Sequence, residues 1–205
     1  MSDTTVDIGP QARIVARLAH GVREDQLDLP TPCADYAVRE LLGHIVGLAA
    51  GLRAAGRKEA EGSDPGPGLP ALPADWRAVL PEALDALADT WSEPAAWEGM
   101  TRAGGLDLPG AVAGLVTADE LVVHGWDLAR ATGQEYVPDE AALRAARDLL
   151  TMDAPDAPDA PDAPDQDADG DHRDGVFGRI VPVPDHAPLL DRVIGLSGRD
   201  PAWKA

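Results

Sequence analysis

The chain has 205 residues, 44% of them apolar and 26% charged, enough for one ordinary domain with a real core or for two small ones. A formal net charge of −19 sets it against nucleic acid and anionic lipid, and no run of eighteen apolar residues offers a membrane span. The single cysteine, Cys33, excludes an intramolecular disulfide and any Cys-rich zinc motif, and the start MSDTTVDIGP lacks the basic and apolar runs of a signal peptide, so a cytoplasmic protein is expected.

Ile8 to Val22 is predicted as a first helix, on the stripe Ile14, Val15, Leu18 and Val22. His20, near its end, suits a helix C-terminus or solvent. LDLPTP, from Leu27 to Pro32, is held extended by its prolines. In CADYAVRELLGHIVGLAAGLRAAG, the residues Val38, Leu41, Leu42, Ile45, Ala49 and Leu52 recur at helical spacing, with Asp35 as candidate N-cap and Gly56 as candidate stop. His44 lies on the shoulder of that stripe, where a side chain points at a seam between helices. A partly buried histidine satisfied by a hydrogen bond would sit there equally well.

Glu61 to Asp75 is rich in Gly and Pro and reads as a loop. Trp76, Val79, Leu80, Ala83, Leu84, Leu87 and Trp91 mark a third helix that either starts or kinks at Pro81. Ser92 to Gly105 is read as a connection with Trp97 packed beneath it, and no alternating strand stands out anywhere. Pro109 opens a fourth helix to Thr132, about 36 Å at 1.5 Å per residue, with Gly133 as its stop. A fifth helix runs from Asp139 to about Met152.

Between Asp153 and Asp174 the chain carries nine Asp and one Arg, which accounts for −8 of the net charge and leaves −11 elsewhere. This Asp-Ala-Pro stretch is too polar and proline-rich to fold, and it lacks the ligand order and central glycine of a calcium loop. Residues 153–175 are therefore expected to be a disordered acidic insertion, with His172 solvated, between a bundle over 1–152 and a C-terminal segment over 176–205 that packs on it. In that segment Pro188 opens a short helix through Leu196, Gly198 stops it, and His186 is placed on the surface. The expected fold class is all-α: a four-helix bundle with additions.

Within the fourth helix, ADELVVHGWDLARATG puts Glu120, His124 and Asp127 on one face. Leu121, Val122, Val123, Trp126 and Leu128 make the segment too apolar for a fully exposed helix, and Trp126 is assigned to the core. Helical bundles build metal sites from side chains on facing helices. His44 on one helix with Glu120 and His124 on another would form an open two-His, one-carboxylate ligand set suited to catalytic zinc, and iron or nickel would also be accepted. The alternative is that His44 and the Glu120–His124 pair never meet. Asp127 is a candidate for orienting a ligand histidine, or else a cap or packing residue. Arg130 is a candidate for holding an anionic substrate or a thiol, or else a surface ion pair. Cys33 is either a thiol near a helix start or a small buried residue.

TPCADYAVRELLGHIVG, then DELVVHGWDLARATGQ, then FGRIVPVPDHAPLLDRVIGLSGRDPAW resemble, in order, the motifs of the DinB-like superfamily. More specifically, the chain resembles actinobacterial metal-binding relatives of the N-terminal domain of mycothiol-dependent maleylpyruvate isomerase, over nearly its whole length outside the Asp-Ala-Pro insertion. The resemblance implies a four-helix bundle holding a divalent metal, usually zinc, on His44, Glu120 and His124. It implies isomerase or S-transferase chemistry with a low-molecular-weight thiol such as mycothiol, ionised at the metal to a thiolate. Close relatives often carry Asp at the Glu120 position and Thr at the Ala37 position. The isomerase has a separate C-terminal domain where this chain has a short segment. The expected partners are a small electrophilic substrate and a thiol, without nucleic acid or membrane, in a monomer or homodimer. The competing expectation is a non-catalytic metal-binding helical protein that binds a small ligand or senses metal.

Overall fold

The computed structural model describes residues 5–59, 71–152 and 179–205. The Asp-Ala-Pro insertion with His172, and most of the Gly/Pro-rich loop, lie outside them. In chain order the elements are α1 (Gly9–His20), α2 (Val38–Gly56), α3 (Trp76–Ser92), α4 (Pro94–Trp97), β1 (Met100–Ala103), β2 (Leu106–Pro109), α5 (Gly110–Thr132), α6 (Glu140–Met152) and α7 (Leu189–Leu196).

The apolar stripes read from the sequence become the interior of a four-helix bundle. Both α1 and α2 pack against α3 and α5, so these four helices close a ring, while α6 lies along α5 and α7 along α6. Val15, Leu41, Leu42, Ile45, Leu80, Leu84, Leu87, Leu121 and Leu128 are buried at its centre. Each such side chain contributes about 1.5–3 kcal/mol by leaving water. No helix among the described residues is long and apolar enough to cross a membrane.

Four details differ from the sequence reading. The connection before α5 contains an antiparallel hairpin, with Met100 opposite Pro109 and Ala103 opposite Leu106. Gly104 and Gly105 form its turn at φ 56° and 80°, the left-handed backbone that a two-residue turn needs to match strand twist. The N-cap of α2 is Ala37, not Asp35: the Glu40 carboxylate accepts the Ala37 N–H at 3.1 Å, but Ala37 has no side-chain oxygen to return the bond. Helix α3 begins at Trp76 and continues through Pro81. Pro109 ends β2 and serves as the N-cap of α5, one residue outside the helix.

Two contacts fix α5, the helix that carries most of the candidate site. At its N-terminal end, the buried Trp97 donates its indole N–H to Trp91 O and covers Gly114 so closely that a Cβ there would lie 2.2 Å from the ring. On its rear face, the buried Gln11 amide of α1 donates to Leu121 O and to the Tyr136 hydroxyl and accepts the Asp139 N–H, while Tyr136 donates to Val122 O. At the far end Gly133 takes φ 69° and returns its following N–H to Ala129 O, the expected left-handed stop.

Candidate metal centre

Helix α2 delivers His44, and helix α5 delivers Glu120 and His124 one turn apart. Because α2 and α5 pack together, the three meet: one Glu120 oxygen is 3.0 Å from His124 Nε2 and 4.0 Å from His44 Nε2. One nitrogen from each histidine and one carboxylate oxygen all lie within 4.8 Å of one another. The imidazoles meet edge to face with centroids 4.7 Å apart. His44 and Glu120 keep side-chain exposures of 30% and 26%, whereas His124 is at 6%, so the cluster is closed at the back and open on the His44 side.

The donor set fits a divalent cation. Zinc–ligand bonds of about 2.0–2.2 Å place tetrahedral donors roughly 3.4 Å apart, a spacing these atoms reach by small side-chain movements. His124 also shows the second contact that metal-bound histidines make. Its Nδ1 stands 3.0 Å from Oδ2 of Asp127, whose side chain has no solvent exposure. A bond there keeps a proton on Nδ1 and turns Nε2 toward the Glu120–His44 side.

The charges in the cluster are strongly interdependent. Burial, reinforced by the neighbouring His124 charge, pushes His44 down to about 4. Burial opposes a charge on His124 too, but the hydrogen bonds that it donates to Asp127 and Glu120 outweigh it and hold the proton to about 9. Burial likewise opposes ionisation of Glu120, yet the His124 hydrogen bond and charge bring its carboxyl below the usual range. Without a metal, then, a His124⁺–Glu120⁻ pair occupies the site.

Around this core the structure places residues that sequence reasoning had left open or missed. Asp127 is beside His124, as the orienting role requires. Arg130 is elsewhere: it lies over Trp126 and donates to the carbonyls of Pro201 and Trp203, tying down the chain end. Trp126 is buried, as expected. Cys33 is half-buried in the turn before α2 and stands outside the three-residue cluster, though its thiol feels the charges of Arg199, Asp127 and Glu120; burial pushes it up. Tyr36, in the same turn, packs its ring 5.3 Å from that of His44. Two charged residues were missed. Arg199, after α7, donates to the same Asp127 oxygen at 3.3 Å. Asp119 is buried beside Glu120 of the cluster, and burial raises its carboxyl well above the usual range. No local pattern announces either, because Arg199 arrives across 72 residues and Asp119 is one more acidic residue beside Glu120 in a helix that carries several polar side chains.

A family model described as the mycothiol maleylpyruvate isomerase N-terminal domain matches residues 8–129, which include all three cluster residues. The chain belongs to this family. Uncharacterised proteins from two strains of Mycobacterium tuberculosis are each 36% identical to it over 140 residues, covering 66% of this chain and 72% of theirs. No solved structure matches the chain at a significant level. Membership in the family accords with the helical fold and relates the chain to mycothiol-associated proteins.

Proposed function

We propose that this protein is a metal-dependent enzyme of the thiol-transferase or isomerase type, acting on a small electrophile with a low-molecular-weight thiol such as mycothiol. The observation that carries the reading is the convergence of His44, Glu120 and His124, with donors within 4.8 Å and one side open to solvent. A divalent cation held there, zinc first and nickel or iron as alternatives, would favour ionisation of a bound thiol at neutral pH. The chain's own residues do the rest. Asp127 holds the Nδ1 proton of His124, Glu120 supplies the one carboxylate, and the Tyr36 ring lies against His44 in the turn before α2. Family membership supports the choice of thiol.

Two experiments test the proposal. Purified protein is expected to carry about one equivalent of metal, which His44→Ala and His124→Ala lose; a metal-free wild type, or variants that retain it fully, would rule out the site. Metal-loaded protein is then incubated with mycothiol and either maleylpyruvate or an arene halide. Turnover that depends on both metal and thiol is the expected result.

A second reading is a metal-holding helical protein without catalysis, since the family model that matches describes a domain and names no reaction that this domain performs by itself. It predicts no turnover together with a marked loss of thermal stability on chelation.

A further inference from the structure

We infer that the C-terminal tail is a working part of the metal centre, with Arg199 as a positioning residue that acts on His124 through Asp127. The inference rests on the metal-site reading above and extends it to residues beyond the matched family region. Its basis is a continuous chain of contacts. Oδ2 of Asp127 accepts from His124 Nδ1 at 3.0 Å and from Arg199 Nη2 at 3.3 Å, so one oxygen joins the ligand to the tail. Asp127 is fully buried, and its other oxygen has no hydrogen-bond partner among the described residues. A carboxylate in that position needs a nearby cation. A histidine bound to a metal through Nε2 is a neutral imidazole, so the charge left paired with Asp127 is the Arg199 guanidinium.

The tail is built to hold that guanidinium in place. Arg199 anchors its own Nη1 on Ser197 O at 2.9 Å, and its backbone N–H bonds Ile194 O, after Gly198 has turned the chain at φ 85°. Further along, Arg130 of α5 grips the carbonyls of Pro201 and Trp203. The tail is thus tied to α5 at two points, on the face that carries His124 and one turn beyond it. A planar guanidinium with a fixed approach holds the carboxylate's orientation, and the carboxylate holds the imidazole's. Losing an outer partner of this kind typically lowers metal affinity about 10–100-fold.

The test uses the full chain and the metal ion alone. Zinc affinity is measured by competition with a chromogenic chelator, and the ligand field is read from the visible spectrum of the cobalt-loaded protein. Arg199→Gln is expected to lower zinc affinity about 10–100-fold and to alter the cobalt spectrum while the far-UV circular dichroism stays native. Arg199→Lys, which restores the charge, is expected to recover part of the loss. A folded Arg199→Gln protein with wild-type affinity and spectrum overturns the inference and leaves the metal site standing. Should Arg199→Gln not fold, Arg130→Ala loosens the tail without touching Asp127: a several-fold loss of affinity supports the inference, and unchanged affinity overturns it. A wild-type protein that binds neither ion overturns the site and the inference together.

Discussion

The rings of His44 and His124, carried by different helices, stand edge to face 4.7 Å apart, yet only one of them favours the charged imidazolium at neutral pH. His124 keeps its proton to about 9 because Asp127 and Glu120 both bond it; His44, beside that charge and partly buried, gives its proton up near 4. Metal uptake at pH 7.5 is therefore expected to release about one proton, from His124. Calorimetric titration in two buffers of different ionisation enthalpy measures the number directly. A value near zero or two contradicts this assignment.

The same pair contributes two opposed limbs to the pH profile of the metal-free protein. His124 has its pKa raised above the ordinary 6.5, so its contribution is complete below 6.5 and is lost as pH rises through about 9. His44 has its pKa lowered, so its contribution is complete above 6.5 and is lost as pH falls toward 4. Chelator-treated protein should be most stable near pH 6.5 and lose stability on both sides, by urea unfolding. Saturating metal should flatten the alkaline limb, since His124 bound through Nε2 is already a neutral imidazole and keeps only its Nδ1 proton. A profile rising steadily from pH 6.5 to 9 in chelator would show that His124 is not charged.

Helix α2 starts with half of its cap. Ala37 has the extended backbone of an N-cap, at φ −75° and ψ 172°, and Glu40 already bonds its N–H. Ala37→Thr supplies the missing oxygen and should stabilise the protein by about 1 kcal/mol. Denaturant midpoints would register the change; no gain would mean that the turn through Tyr36 blocks the hydroxyl.

Gly114 sits inside α5, where alanine would ordinarily favour the helix by about 1 kcal/mol. Here the added methyl meets the buried Trp97 ring at 2.2 Å. Overpacking of this kind costs about 1–3 kcal/mol, so Gly114→Ala should destabilise on balance. Near-ultraviolet circular dichroism should also change, because Trp97 packs at 75° against Trp91. A stabilised variant with an unchanged tryptophan signal would refute the close approach.

The long helices were legible in the sequence because burial on one face repeats every three to four residues: Leu41, Leu42, Ile45 and Ala49 announce α2 without help from elsewhere. The triad was legible for a related reason. Glu120 and His124 are polar residues at helical spacing in an apolar segment, and His44 sits on the shoulder of the α2 stripe, where a side chain points at a seam between helices. Spacing left open whether they meet, and the family motif favoured it. The hairpin escaped because its strands are four residues long and Met100 and Leu106 point outward, although Gly104-Gly105 was a usable turn signal. Asp35 looked like a cap because its side chain suits one, but the backbone turns into helix two residues later. Arg199 escaped for a different reason: its partner is fixed by how the tail crosses α5, and no spacing rule encodes that crossing.

The Gln11 joint on the rear of α5 bears directly on how an ion would be received. Gln11 and Tyr136 attach themselves to the carbonyls of Leu121 and Val122, two of the three residues between Glu120 and His124. Those carbonyls lie within the helical turn that spaces two of the three donors, and the attachments brace that turn against α1 and against the start of α6. Little chain freedom remains there to be lost when a cation arrives, so the entropy of ordering the backbone falls on folding and not on loading. An ion would inherit its seat on α5 from the bundle, and the adjustment would fall to His44, on the other helix.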